Sequence, residues 1–259
     1  MARAMSDEAY RDGQRAQRCT GRVAAVNRFI DELGAGREAG RPPYVPAICG
    51  GVDALALSLS RDPGPKAGGL KGSGFLSAEN DDPGAERTGR FLRTAGIGYG
   101  HVLPWNACPW YINSDPTAAQ LSAGAGPLLN LIALMPRLRV VILHGAAAAK
   151  GWKLFLRQHH GLIEQRGIVW LETYHTSRQA LQTPDPVERE LREASIRNAF
   201  SLAAAVIRSP IWPSVDREPW SQQAEPETVP DMHGSGGGPP DGTSANDDGA
   251  DPLRPARHT

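Results

Sequence analysis

The sequence has few cysteines and no long apolar run. Its three cysteines, Cys19, Cys49 and Cys108, lie far apart and form no CxxC pair, which argues against a disulfide framework, a zinc ribbon or a four-cysteine iron–sulfur cluster. No stretch approaches the roughly 18 apolar residues of a membrane span, and the N-terminal MARAMSDEAYRDGQR lacks the apolar core of a signal peptide. We therefore expect reduced thiols in a soluble, cytoplasmic protein without a membrane partner.

A net charge is also lacking, because 28 lysines and arginines balance 28 acids. The distribution is uneven, since residues 211–259 hold nine acids and three bases, which leaves 19 acids and 25 bases in residues 1–210. The excess of bases in residues 1–210 is compatible with a polyanionic partner, but arginines scattered over the surface explain this excess equally well.

Composition divides the chain into three parts. Residues 1–20 are polar, and we expect a flexible N-terminus. Residues 213–259 are rich in Pro, Gly, Ser and Asp and cannot bury enough apolar surface to offset the entropy of ordering, so we expect a disordered acidic tail. Residues 21–212 are long enough for one core and predict a single domain.

Short apolar runs alternate with helical patterns in that domain. Residues 54–60, 101–105, 138–143 and 168–173 suit short strands, and residues 23–33 suit an amphipathic helix. Asp-Pro pairs at 82–83, 115–116 and 185–186 predict helix starts, with Glu188 in capping-box spacing for the third. The alternation predicts a three-layer α/β/α fold with a central four-stranded, mostly parallel sheet.

Polar residues follow each predicted strand, where open α/β sheets bind ligands. In chain order they are Arg61-Asp62-Pro63-Gly64-Pro65, Asn106, His144-Gly145 and His175-Thr176-Ser177. A carboxylate, an amide and an imidazole would thus converge near one crevice. Each also has an ordinary structural explanation, because Asp-Pro-Gly is a common turn and buried Asn, His or Phe side chains can belong to a core.

The sequence resembles the uracil-DNA glycosylase superfamily over roughly residues 44–205, and four segments carry the resemblance. SRDPGP is similar to the family's Asp-Pro loop, which puts Asp62 at the place of the catalytic aspartate. GSGFLS is similar to the segment whose aromatic stacks on the base, here Phe75. VLPWNACPW resembles the strand ending in the base-reading asparagine, here Asn106, and YHTSRQ resembles the His-Pro-Ser loop, with His175 and Ser177.

The resemblance implies a monofunctional DNA repair glycosylase that flips uracil, or a related deaminated base, out of DNA and releases it. Asp62 would stabilise the oxocarbenium-like sugar and His175 would donate to uracil O2, while Phe75 would stack on the base and Asn106 would read its edge. It implies no cofactor and no metal, and we expect a monomer. The candidate contacts to DNA phosphates are Gly64, Pro65, Ser73, Ser177 and Arg178.

The sequence departs from the family pattern in two loops. Gly64 stands where well-known members have a tyrosine that blocks the thymine methyl, so exclusion of thymine is not implied. Thr176 replaces the usual proline, and no leucine follows His175 at the wedge position, which Arg178, Gln179 or Leu181 would have to fill. A weaker wedge favours single-stranded or mismatched DNA.

Two other interpretations stay open. The first is a superfamily member that binds nucleic acid with weak or no base release. The second is a nucleotide-binding or hydrolase-type enzyme that holds a phosphate ligand in the Gly-rich loop. No GxGxxG, P-loop or GxSxG motif stands in the strand-to-loop context that this second class requires.

Overall fold

The computed structural model of the chain describes residues 3–36, 40–68, 71–112 and 114–210. The predicted tail, residues 213–259, lies outside the described residues. The strands are β1 (Ala56–Ser60), β2 (Val102–Asn106), β3 (Val140–His144) and β4 (Val169–Thr173). The helices are α1 (Glu8–Gln17), α2 (Ala24–Gly34), α3 (Pro65–Gly68), α4 (Pro83–Thr94), α5 (Ala118–Ala123), α6 (Ala125–Ala133), α7 (Ala146–Gln165), α8 (Arg178–Leu181) and α9 (Pro186–Arg208).

The four strands form one sheet in the order β2-β1-β3-β4, and every pair is parallel. Helices flank the sheet, which confirms the predicted α/β class and the central four-stranded sheet. Each strand lies within two residues of its predicted bounds. The chain runs from β1 to β2 on one side and then returns to β3 on the other, so the crevice used by ligands in open sheets lies between the ends of β1 and β3.

Strands β1, β2 and β3 are buried on both faces, whereas the edge strand β4 is exposed or half-buried along its length. Because successive side chains of a strand point to opposite faces, Leu57 and Leu59 pack in one cluster with residues of α2, α6 and α7. Ala56 packs in a second cluster with Phe91 of α4 and Phe200 of α9. Burial on both sides explains why β2 and β3 read as apolar runs with little alternation.

Two of the three predicted Asp-Pro helix starts are present. Asp82 caps α4 by accepting from the Ala85 amide at 2.8 Å, and Asp185 caps α9 by accepting from the Val187 amide at 2.8 Å. The predicted capping box at α9 is wrong, because the Glu188 carboxylate accepts from the Thr183 hydroxyl at 2.8 Å and from Arg192.

The predicted helix start at Asp115-Pro116 is displaced. Helix α5 begins at Ala118, and its N-cap is Thr117, which forms a capping box with Gln120. Asp115 forms an ion pair with Arg61 instead. Its carboxylate is therefore directed to the loop after β1, and the capping role passes to the next polar residue.

The first 20 residues, for which no element was predicted, contain α1. Met5 is buried before this helix, Gln14 accepts from the Ala47 amide at 3.0 Å, and Tyr10 donates to Glu79 at 2.6 Å. Polar contacts to distant residues hold α1, so its sequence shows no apolar stripe. Of the helices in the described ranges, none combines the length and apolar character needed to cross a bilayer.

Candidate active site

The loop after β1 holds Asp62 as a buried carboxylate. Its side chain is 4% exposed, and Arg61 Nε donates to Asp62 Oδ1 at 2.5 Å. Arg61 also pairs with Asp115, whose side chain is 92% exposed. One guanidinium therefore bridges an inner and an outer carboxylate.

Backbone hydrogen bonds hold this loop beside the end of β2. The Ala107 amide donates to the Ser60 carbonyl and the Cys108 amide donates to the Arg61 carbonyl, both at 2.8 Å. These bonds extend the β1–β2 ladder beyond the strands. They fix the backbone directly before Asp62 against the backbone directly after Asn106.

Asn106 ends β2 and carries an unused donor. It lies opposite Ser60 in the parallel register, so the two side chains share one face of the sheet. Asn106 is 3% exposed, and its Nδ2 has no hydrogen-bond partner among the described residues. A buried amide that lacks a partner costs free energy, and a ligand that accepts from Nδ2 would recover it.

His175 follows β4 as a neutral imidazole. Burial lowers its pKa, the charge of Arg61 acts in the same direction, and the charges of Asp82 and Asp62 oppose both. The Ser177 amide donates to His175 Nδ1 at 3.0 Å. A neutral ring that accepts at Nδ1 carries its proton on Nε2, so His175 can donate a hydrogen bond without a positive charge.

The loop of His175 is tied to α4. Thr176 is 4% exposed, its hydroxyl lies 2.8 Å from the Thr88 hydroxyl, and its carbonyl accepts from Arg87. A proline at position 176 could not make the hydroxyl contact. The threonine found there fixes the loop by side-chain hydrogen bonding.

The parallel sheet brings three of the predicted residues to one edge, the one formed by the carboxyl ends of its strands. Asp62 follows β1, Asn106 ends the neighbouring β2, and His175 is close enough to Asp62 for the carboxylate charge to act on its pKa. Gly145, at the start of α7, lies against His175, because a Cβ at this glycine would be 3.4 Å from His175 Cβ. The site thus holds a carboxylate, a neutral imidazole and an unpaired amide.

His144 is not among the predicted site residues, yet it lies next to His175 at this edge. It ends β3, is 3% exposed and lies 2.9 Å through Nε2 from the Ser58 hydroxyl. Its ring meets the ring of His175 edge-on, with centroids 6.5 Å apart. Burial lowers its pKa to about 3, and His175 contributes in the same direction. The sequence does carry a signal for this pair, because Ser58 and His144 are polar residues within the apolar runs that form β1 and β3.

Phe75 lies in a loop that covers its ring. It is 1% exposed, packs against Tyr44 with ring centroids 6.0 Å apart, and its carbonyl accepts from Asn80 Nδ2 at 2.9 Å. No face of the ring is open to a ligand in this conformation. Stacking of Phe75 on a base therefore requires the loop to move, and this role stays a prediction.

The predicted phosphate contacts fall into two groups. Gly64, Pro65 and Arg178 are exposed. The Ser73 hydroxyl donates to Asn80 Oδ1 at 2.7 Å, and the Ser177 hydroxyl caps α8 by accepting from the Ala180 amide at 3.3 Å. The three exposed residues are accessible to a ligand, whereas the two serine hydroxyls are already engaged in hydrogen bonds within the protein.

Within the described ranges, no cluster of three or more His, Cys, Asp or Glu side chains is arranged to hold a metal ion. No protein-family model matches the sequence, and no curated protein matches it significantly.

Proposed function

We propose that this chain is a DNA glycosylase that hydrolyses the N-glycosidic bond of uracil, or of a related deaminated base, in cytoplasmic DNA repair. The proposal rests on one observation: buried Asp62 and neutral His175 share a sheet edge and interact electrostatically. Cleavage of this bond leaves positive charge on the sugar and negative charge on the base. An anion and a neutral donor side by side match that separation of charge.

In the proposed reaction the bond between C1′ of the sugar and N1 of the base breaks, and its electron pair leaves with the base. His175 Nε2–H donates to O2 of the departing base, while the Asp62 carboxylate stabilises the cationic sugar and orients a water molecule. The water oxygen bonds to C1′, and the proton that it loses neutralises the base. The products are a free base and an abasic site.

Asn106 supplies the proposed base selection. Uracil presents an acceptor at O4 and a donor at N3, which complement the amide Nδ2 and Oδ1. Cytosine presents an amino donor at position 4 and an acceptor at N3, so with the amide in the orientation that reads uracil it would leave the buried Nδ2 of Asn106 unpaired. An unpaired buried donor costs about 1–3 kcal/mol, which favours uracil over cytosine.

Two contacts of the free protein have to change before the reaction. Arg61 screens the Asp62 charge, and the packing with Tyr44 covers Phe75. DNA phosphates could replace the carboxylates as partners of Arg61. The same two contacts favour the second candidate function, a nucleic-acid binder with weak or no base release, if DNA leaves them intact.

Oligonucleotides with a single uracil test the proposal. Wild type, Asp62→Asn and the matched control Asp115→Asn are incubated with single-stranded and U·G duplex DNA in the presence of a chelator, and alkali then reveals abasic sites. Both variants remove one carboxylate partner from Arg61. Only Asp62 is buried at the site, so only its loss should lower the rate of base release. We expect Asp62→Asn to lower the rate roughly 10²- to 10³-fold while DNA binding persists, and Asp115→Asn to stay near wild type.

Two results would contradict the proposal in different ways. Equal rates for wild type and Asp62→Asn would remove the catalytic role of the carboxylate. A wild-type protein that retains the DNA but releases no base, from uracil or from a parallel hypoxanthine substrate, would establish the binder instead.

A further inference from the structure

A cavity of about 300 Å³ lies beside the loop of Phe75. Three arginines line it: Arg15 of α1, Arg18 directly after α1, and Arg41. Tyr44 and the segment 72–75 complete the wall. We call this the arginine cavity. It was not predictable from a motif, because its three arginines come from separate segments of the chain.

The arginine cavity has an excess of positive charge. The guanidinium carbons of Arg41 and Arg18 lie 3.4 Å and 5.6 Å from the centroid of the same Tyr44 ring. Burial lowers the pKa of Arg41, Tyr44 and Asp31 oppose this shift, and the nearby charge of Arg18 adds a smaller lowering. One carboxylate, Asp31, faces them, with Oδ1 3.9 Å from Arg41 Nε, and this oxygen also accepts from the Tyr44 hydroxyl.

The cavity also offers donors. Arg18 Nε is buried and has no hydrogen-bond partner within the described parts of the chain, while the same guanidinium interacts with the Tyr44 side chain and donates through Nη1 to the Arg15 carbonyl at 3.2 Å. Arg15 pairs with Asp12 at 2.6 Å, but both side chains are about half exposed, so this pair can exchange at little cost. Gly74, also in the lining, has φ +80, and a Cβ there would meet nothing within 4 Å. The lining thus leaves room for an anion beside the arginines.

We propose that the arginine cavity binds a phosphate group. Guanidinium groups donate two parallel hydrogen bonds to phosphate oxygens, which makes arginine the preferred side chain for this anion. The segment 72–75 is attached to α3 by two hydrogen bonds. The backbone amides of Ser73 and Gly74 donate to the carbonyls of Lys66 and Ala67. A phosphodiester of single-stranded DNA held in the cavity would therefore lie beside the segment that carries Phe75. The inference does not depend on base release.

The test uses the full chain and a fluorescein-labelled oligothymidine without uracil. Anisotropy titrations at several salt concentrations compare wild type with Arg15→Gln/Arg18→Gln. The control is Arg137→Gln/Arg157→Gln, which removes the same charge from exposed positions outside the cavity. We expect the slope of log affinity against log salt to fall by about 0.7 for each lost phosphate contact, and the control to retain the wild-type slope. Circular dichroism melting checks that both variants fold.

A second arm separates the two sources of phosphate. Melting temperatures are measured in sodium phosphate and in sodium chloride of equal ionic strength. Stabilisation of wild type by phosphate that is lost in Arg15→Gln/Arg18→Gln, with an unchanged oligonucleotide slope, would support the cavity with free phosphate as its ligand. If the cavity variant matches its control in both arms, the proposal is overturned. Since no uracil is present, failure of the glycosylase proposal cannot produce either result.

Discussion

Removing the buried imidazole of His144 should change how the stability of the protein depends on pH. In the folded chain burial lowers the pKa of His144 to about 3, against an ordinary value of 6.5. Between these values the unfolded chain binds a proton that the folded chain excludes. The buried, neutral ring of His144 therefore makes its full contribution to stability above pH 6.5, and this contribution is lost as the pH falls towards 3.

The size of this effect follows from the two pKa values. For a single group with pKa 6.5 unfolded and about 3 folded, linkage predicts a loss of about 2 kcal/mol between pH 7 and pH 5, and of roughly 5 kcal/mol at full protonation. A typical domain is stable by about 5–15 kcal/mol. Acid should therefore unfold this protein, with His144 as a large contributor.

Urea unfolding followed by circular dichroism at pH 7 and pH 5 measures the effect. His144→Gln keeps an amide that can bond to the Ser58 hydroxyl but does not titrate, so we expect this variant to lose about 2 kcal/mol less than wild type over the interval. His101→Gln, at an exposed position, should behave as wild type. Other titrating groups, including His175, are common to all three proteins. Equal losses for wild type and His144→Gln would refute the reasoning.

Two further predictions concern the glycine at the site and the thiols. Gly145 has φ +84 and ψ 170, a region that is essentially restricted to glycine, so Gly145→Ala should destabilise the protein by about 1–3 kcal/mol in urea unfolding. Gly126→Ala, on an exposed and open face of α6, should be neutral or stabilising, and a similar cost at both positions would contradict the assignment. Cys19 is exposed while Cys49 and Cys108 are buried, and burial raises the pKa of both buried thiols, that of Cys49 to about 12. An aromatic disulfide reagent should therefore modify one thiol rapidly in the native protein and all three after unfolding, and rapid native modification of more than one would show that a buried thiol is accessible.

Three of the four strands were predictable because they are buried on both faces, and the more exposed strand β4 still carries the apolar run Val169-Trp-Leu171. A strand covered on both faces needs apolar side chains at every position, and such runs, bounded by turn residues, stand out in the sequence. The Asp-Pro signals at α4 and α9 are equally local, since a cap and its amide lie within three residues. Helix α1 escaped prediction because the contacts that hold it, such as Tyr10 with Glu79, join residues far apart in the chain.

The candidate site likewise has features that the sequence predicts and features that it does not. That Asp62, Asn106 and His175 reach one edge follows from a parallel sheet, in which all carboxyl ends point the same way. What surrounds each side chain does not follow, because it depends on distant partners. Arg61 shares its guanidinium between Asp62 and Asp115, and Tyr44 covers Phe75.

The sequence by itself thus determined the α/β class, the four strands and the edge of the sheet at which chemistry is possible, because each depends on local pattern and on the geometry of parallel strands. Only the tertiary structure decided the protonation of His175, the unpaired donor of Asn106, the burial of His144 and the arginine cavity. Burial and charge act through space, and the groups that produce them come together only when the chain folds.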